Sequence, residues 1–413
     1  MAATIITNIK LLVNTRTENK LLRGTELAQL PVIPNAYLVI ENGIIAEYGE
    51  MKNLSWTDEK NDTIIDAAGQ IVLPAWVDSH THIVFAASRE DEFVDKINGL
   101  SYAEIAARGG GILNSAKKIN EASEAELLKS ALGRIHEVMQ LGTGAIEIKS
   151  GYGLDVPNEL KMLRVIKQLK AISPIPIKAT FLGAHTYPQR YKDNHEEYLD
   201  CLIDDMLPVI ASEGLADYID VFCETGFFTP GETEIICRAG MKHGLRPKIH
   251  ANQLNLSGGV QTGVALNALS VDHLETMDEV SIATLAMSHT IGTMLPTAAY
   301  FLRMNYPPAR RMIDEGCILA LASDYNPGSS PSGNMNQVVS MACIQMKMLP
   351  EEAINAATIN GAYAMGLQDE VGSITVGKRA NLIITKPVPS LAYLPYAFGS
   401  NLIDKVLISG EVV

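Results

Sequence analysis

Between residues 75 and 323 one pattern recurs eight times: a short apolar run, then an amphipathic stretch with helical spacing. The runs cover residues 75–82, 143–149, 177–183, 218–224, 247–250, 269–275, 290–294 and 318–323. Between them, Leu127, Leu128, Ala131, Leu132, Ile135, Val138 and Met139 mark one face of a helix, and Leu160, Leu163, Ile166 and Leu169 mark another. Short strands alternating with helices predict parallel βα units. Eight units in about 290 residues match a (β/α)8 TIM barrel, which carries its active site at the carboxyl ends of the strands. A doubly wound open sheet is the alternative. It expects a G-x-G-x-x-G turn after the first core strand, and none follows residue 82.

The flanks read differently. Residues 36–40 and 43–48 are apolar runs on either side of Asn42-Gly43, a strong hairpin signal. Residues 372–377, 381–385 and 405–413 also read as short strands. Neither end has enough strands to cover a sheet alone. Pairing them predicts a small β-sandwich domain from residues 1–70 and 370–413, around a barrel domain at 71–369.

Charge and composition narrow the partners. Thirty-three Lys and Arg against 47 Asp and Glu give a net charge of −14. That balance opposes phosphate binding, and 6% aromatic residues offer few stacking platforms, so no nucleic acid is expected. No apolar run approaches the ~20 residues that cross a bilayer, and the first residues lack the basic and apolar regions of a signal peptide. The five cysteines are widely spaced without a C-x-x-C pair, as in a reducing compartment. A cytoplasmic protein with no membrane partner is the expectation.

The chemistry sits at the strand ends. His80 and His82 are two apart, so a strand projects both to one side. His-x-His alone is often only a pair of satisfied polar residues. Here the other runs add His185, His250, Asp272-His273-Leu274-Glu275 and Asp324, and a barrel gathers all its strand ends around one axis. His136, His195, His243 and His289 fall elsewhere and read as structural or solvated. Three imidazoles and a carboxylate around a divalent ion leave room for one water, whose pKa falls towards ~7. A carboxylate such as Asp324 can take and return its proton, which points to hydrolysis of a C–N bond.

Residues 74–82, 357–366 and 372–383 resemble signatures of the amidohydrolase superfamily. Within it, the chain is similar to the imidazolonepropionase family, through Phe85-Ala-Ala-Ser-Arg89, Gly109-Gly-Gly-Ile112, Glu147-Ile-Lys-Ser-Gly-Tyr-Gly-Leu154, Asp220-Val-Phe-Cys-Glu224, Val271-Asp-His-Leu-Glu275 and Ser323-Asp-Tyr-Asn-Pro-Gly-Ser329. These blocks run in order over nearly the whole chain. The resemblance implies a hydrolase that opens 4-imidazolone-5-propanoate to N-formimidoyl-L-glutamate in histidine degradation, and a homodimer. It implies one zinc or iron ion on His80, His82, His250 and Asp324, with no carbamylated lysine at Lys149. His273 would be base or electrophile beside Asp324, and His185 would meet the ring.

Arg89 would clamp the propanoate tail, since a guanidinium matches a carboxylate with two hydrogen bonds. The neighbouring Glu90, Asp91 and Glu92 make a surface ion pair its plain alternative. Tyr102 and Tyr152 are similar to the family's phenol contacts, and Tyr152 lies between two glycines, as backbone turned towards a ligand does. Gly109–Gly111 would belong to a loop closing the pocket, or be only a flexible connection. Asn326, Gly328 and Ser329 would hold ring and product, though Asn-Pro-Gly-Ser is also a good turn. Related ring deaminases carry a glutamate at the position of Gln253. Glutamine cannot titrate, so Gln253 would orient the ring. The rival readings are a superfamily deaminase, a formimidoylglutamate deiminase, or a non-catalytic assembly protein.

Overall fold

The structure, a computed structural model, describes residues 3–55, 62–100, 104 and 110–413. A first group of strands is β1 (Ala3–Val13), β2 (Val32–Glu41), β3 (Ile44–Glu50), β4 (Thr63–Asp66) and β5 (Ile71–Pro74). Then come β6 (Trp76–Asp78), β7 (Thr143–Lys149), β8 (Ile177–Ala184), β9 (Tyr218–Cys223), β10 (Arg246–Ala251), β11 (Ser270–His273), β12 (Ile291–Met294) and β13 (Leu319–Leu321). The chain finishes with β14 (Leu382–Thr385), β15 (Ile403–Ile408) and β16 (Glu411–Val412).

Strands β6 to β13 pair in sequence order, all parallel, with helices in the connections. All eight runs of the sequence pattern become these strands, so the fold is the (β/α)8 barrel. The first and last strands have only three residues each, and the seam between them closes beyond their ends. There the Asp324 N–H donates to the His80 carbonyl (3.0 Å) and the His82 N–H to the Tyr325 carbonyl (2.8 Å), with Thr81 and Tyr325 forming a parallel bridge. One turn lower, the buried Asp78 carboxylate accepts from the Ser323 N–H at 2.9 Å and the Ser323 hydroxyl at 2.5 Å. His80 and His82 therefore share one side as expected, but from extended chain past the strand.

The remaining eight strands form a mixed sheet from both ends of the chain, in the order β16-β15-β14-β5-β1-β2-β3, with β4 also on β1. Its strands alternate cleanly. Ile71, Leu73, Ile383, Val406 and Ile408 face the main core that the barrel shares, while Val72, Leu382, Ile384 and Leu407 join Ile6, Ile9, Leu12 and Leu38 in a separate cluster. The β2–β3 hairpin turns at Asn42 (φ 52°) and Gly43 (φ 76°), both in the left-handed region that a tight hairpin needs. One expected strand does not form. Residues 372–377 make only an isolated bridge from Ile374 to Thr15, because a turn breaks the run after Thr375.

The long connection after β6, where the sequence reading named only a loop or flexible connection at Gly109–Gly111, is partly helical. It contains helices Glu90–Ile97 and Ile112–Glu121. Three acidic residues in the first turn of Glu90–Ile97 and Lys96 in its last complement the helix dipole.

Asp78 ties the seam on which His80, His82 and Asp324 depend. Asp78→Ala leaves two buried donors of Ser323 without an acceptor, and should cost about 2 kcal/mol of stability. It should also reduce metal retention, read by urea denaturation and elemental analysis of the folded protein.

Candidate metal centre and substrate pocket

The ends of β6, β10, β11 and β13 bring three groups of donor atoms together. His80 Nε2 lies 3.3 Å from His82 Nε2, and each is 3.5 Å from Asp324 Oδ1. A tetrahedral ion with bonds of about 2.0–2.1 Å sets its donors roughly 3.3–3.4 Å apart, so these three form one face of such a site. His250 joins His80 and His82 with all donor atoms within 4.8 Å, and His273 does the same with His80 and Asp324. Burial first, then neighbouring positive groups, hold His80 and His82 well below the ordinary histidine pKa. Neutral imidazoles with converging lone pairs are what a divalent ion takes. The donor set fits a metal.

Outside these donors lies a set of buried charges. Asp272 Oδ2 is 2.6 Å from His80 Nδ1, and Asp220 Oδ2 is 3.0 Å from His250 Nδ1. Such carboxylates fix the ring orientation and turn the other nitrogen towards the metal. The Lys149 ammonium bridges them, 2.8 Å from Asp220 Oδ2 and 3.5 Å from Asp272 Oδ2, and also donates to Glu147 at 2.7 Å. Lys248 pairs with the other Glu147 oxygen and donates to the Ser79 carbonyl at 3.0 Å. β7 and β10 are not neighbours, so this contact runs through the barrel interior. Burial opposes the Lys149 charge, but Asp220, Glu147 and Asp272 outweigh it and raise the pKa. The enclosed ammonium serves as the common counter-ion of these carboxylates.

Asp324 sits in the left-handed region (φ 53°), as do His273 (φ 89°) and Leu274 (φ 70°). Strain of this kind is held by its surroundings and gathers at functional sites. Burial raises the Asp324 pKa to about 6, against the opposing pull of His273 and His250. Its Oδ1 faces the histidines while Oδ2 accepts from the Ser329 hydroxyl at 3.3 Å. His273 Nδ1 meets Glu275 Oε1 at 3.2 Å; burial lowers its pKa, but Glu275 together with Asp324 and Asp272 outweighs this, and the net shift is upward.

A cavity of about 480 Å³ opens against this centre, bounded by His82, His250, His273 and Asp324 on one side and Arg89 on the other. Tyr152, His185, Gln253, Asn326, Gly328 and Ser329 also line it. The His185 ring stacks on His82 at 5.4 Å and 16°, with Nδ1 3.0 Å from the Gly151 carbonyl. Burial drives its pKa down to about 3, so the ring is neutral. The Asn326 side chain accepts from the Gly328 and Ser329 N–H groups and donates to the Asp324 carbonyl, so it both lines the pocket and makes the turn. Arg89 Nε is 3.4 Å from Glu92 Oε2, yet makes no hydrogen bond among the described residues. The ion pair forms with Glu92, buried and not on the surface, and the guanidinium also lines the cavity. A Cβ on Gly328 would fall 1.6 Å from Arg89 Nη2. Only glycine lets the guanidinium lie there.

Tyr102 and Gly109 lie outside the described residues. Several positioning groups had no role in the sequence reading. Glu159 accepts from the Gly151, Gly153 and Leu154 N–H groups and so shapes the turn holding Tyr152. Glu224 accepts from Leu254 and Asn255, next to Gln253. Asp220, Asp272, Glu147 and Lys248 carried a usable signal: each is a charge inside an otherwise apolar strand run.

Comparison with known proteins agrees with this geometry. Residues 228–413 match the amidohydrolase family. Imidazolonepropionase of Flavobacterium johnsoniae is 60% identical over 99% of this chain and 100% of its own length, and that of Parabacteroides distasonis 41% over 95% of each. The chain belongs to the imidazolonepropionase family. Solved structures share the fold at low identity. Guanine deaminase of E. coli superposes with a TM-score of 0.72 at 14% identity, covering 100% of this chain and 99% of that one. A triazine hydrolase variant gives 0.75 at 15%, covering 99% and 94%. This imidazolonepropionase-family protein is accordingly a hydrolase of a metal-dependent superfamily. Among the described residues, no helix is long and apolar enough to cross a membrane.

If the centre binds one ion in the folded state only, chelation should lower Tm, and one equivalent of zinc should restore it. His80→Ala should abolish that response while its circular dichroism stays that of a folded barrel.

Proposed function

We propose that this protein hydrolyses the ring of 4-imidazolone-5-propanoate to N-formimidoyl-L-glutamate, using His80, His82, His250 and Asp324 to hold one zinc or iron ion. The observation that carries the reading is a guanidinium whose Nε has no hydrogen-bond partner among the described residues, in the same cavity as His82, His250 and Asp324. A ring to be opened at the centre and a carboxylate tail for Arg89 is the substrate shape such a cavity takes. When bound, the ion polarises the ring carbonyl and acidifies water.

The chain's own residues do the rest. Arg89 takes the tail carboxylate, with phenol support from Tyr152, whose pKa burial raises so that it stays a neutral donor. Tyr102 belongs to the same reading. His185 and Gln253 orient the ring, and Asn326, Gly328 and Ser329 keep its other edge in place. Asp324 Oδ2 accepts the proton as water adds to the carbonyl carbon. It returns that proton to the ring nitrogen as the C–N bond breaks, leaving a new carboxylate. His273, held at Nδ1 by Glu275, stabilises the developing oxyanion. Gln253 gives no titratable group where a ring deaminase needs one, and hydrolysis of this bond releases no ammonia.

The same reading makes the protein a cytoplasmic homodimer. All five cysteines are free thiols in the structure, as suits a reducing compartment. Light scattering should give twice the 44.7 kDa chain mass.

The purified enzyme should remove the absorbance of 4-imidazolone-5-propanoate with no ammonia formed. Ammonia in step with substrate loss would reverse the assignment to a deaminase. Arg89→Ala should keep its metal and raise KM roughly 100-fold, as loss of a charge-assisted pair of about 3 kcal/mol requires. Gly328→Ala should act in the same direction, by displacing the guanidinium.

A further inference from the structure

A second cation faces the pocket. Lys96, on the last turn of helix Glu90–Ile97, lines the same cavity as Arg89. Its side chain is half-buried, its ammonium is 5.9 Å from the Phe301 ring centroid, and it makes no ion pair among the described residues. Glu92 lies on the same helix, three residues after Arg89 and four before Lys96. That carboxylate is already engaged. Oε2 faces Arg89 Nε, while Oε1 accepts from the Gly111 N–H and from Asn114 Nδ2, both at 3.1 Å. With Glu92 held by Arg89 and the Gly111 turn, no ion pair among the described residues neutralises Lys96 where it faces the cavity.

We propose that Lys96 is a specificity-determining residue: with Arg89 it forms a two-cation subsite for the substrate's carboxylate, and Glu92 is the counter-ion that positions Arg89 and ties the subsite to the Gly111 turn. This rests on the proposed function and extends it to a residue outside the sequence-derived site. A bound carboxylate gives both cations a counter-ion, which an uncharged tail does not. Burial and the nearby Arg89 push the Lys96 pKa down, a penalty that a bound anion relieves. Unlike Arg89, Lys96 acts as a point charge on a flexible stem, so it selects for charge more than for shape.

The test compares 4-imidazolone-5-propanoate with its tail amide, 4-imidazolone-5-propanamide, on the metal-loaded enzyme. Wild type should prefer the carboxylate. Lys96→Gln should cut the ratio of the two kcat/KM values about tenfold, mainly through KM for the carboxylate, and Lys96→Arg should restore most of it. The fall should shrink as salt rises, since the charge is partly exposed. A Lys96→Gln ratio equal to wild type, with the wild type active on the propanoate, overturns the Lys96 assignment and leaves the proposed function standing. An equal loss on both compounds overturns it too, because that marks a structural role. A wild type inactive on the propanoate overturns the proposed function and this subsite with it.

Discussion

Everything at the site depends on how the barrel closes. The first and last strands are too short to pair along a ladder, and the seam is made instead by Asp78 with Ser323 and by the backbones of His80, His82, Asp324 and Tyr325. The hydrogen bonds that shut the barrel are thus carried by the residues that converge on the cation site. Closure and ligand geometry are one event. A barrel left open there loses three of its four proposed metal donors together.

Below the seam, the barrel trades apolar packing for a buried ionic lattice. Glu147, Lys149, Asp220, Lys248 and Asp272 are all essentially inaccessible to water. Taking five charges out of water is costly, and such pairs seldom stabilise a fold more than well-packed hydrocarbon would. What the lattice provides is orientation. Lys149 holds Asp220 and Asp272, which in turn sit against the outer nitrogens of His250 and His80. The histidines proposed to hold the ion are therefore braced from inside the barrel, beside the left-handed backbone at His273 and Asp324.

Much of this was readable from the chain. Strand and helix periodicities differ, so eight runs gave eight barrel strands, and polar residues at their ends gave the histidines and Asp324. The run at residues 372–377 misled because apolar alternation says nothing about the partner strand a run must find. The helix after Arg89 was not seen in the sequence because two turns carrying Glu92 and Lys96 have too few apolar positions to show a period. Glu159 and Glu224 were invisible for a different reason. An acidic residue on a helix or at a strand end reads as solvated until the turn it anchors is seen to wrap around it.

The sequence by itself determined the architecture, the family and the donor types, because periodicity, ordered motifs and side-chain chemistry are local properties. Only the tertiary structure decided which donors share one point, that Lys149 braces two histidines, and that Arg89 and Lys96 line one cavity. Those facts are distances in space that chain order does not fix, and the electrostatics of a cavity is a sum over such distances.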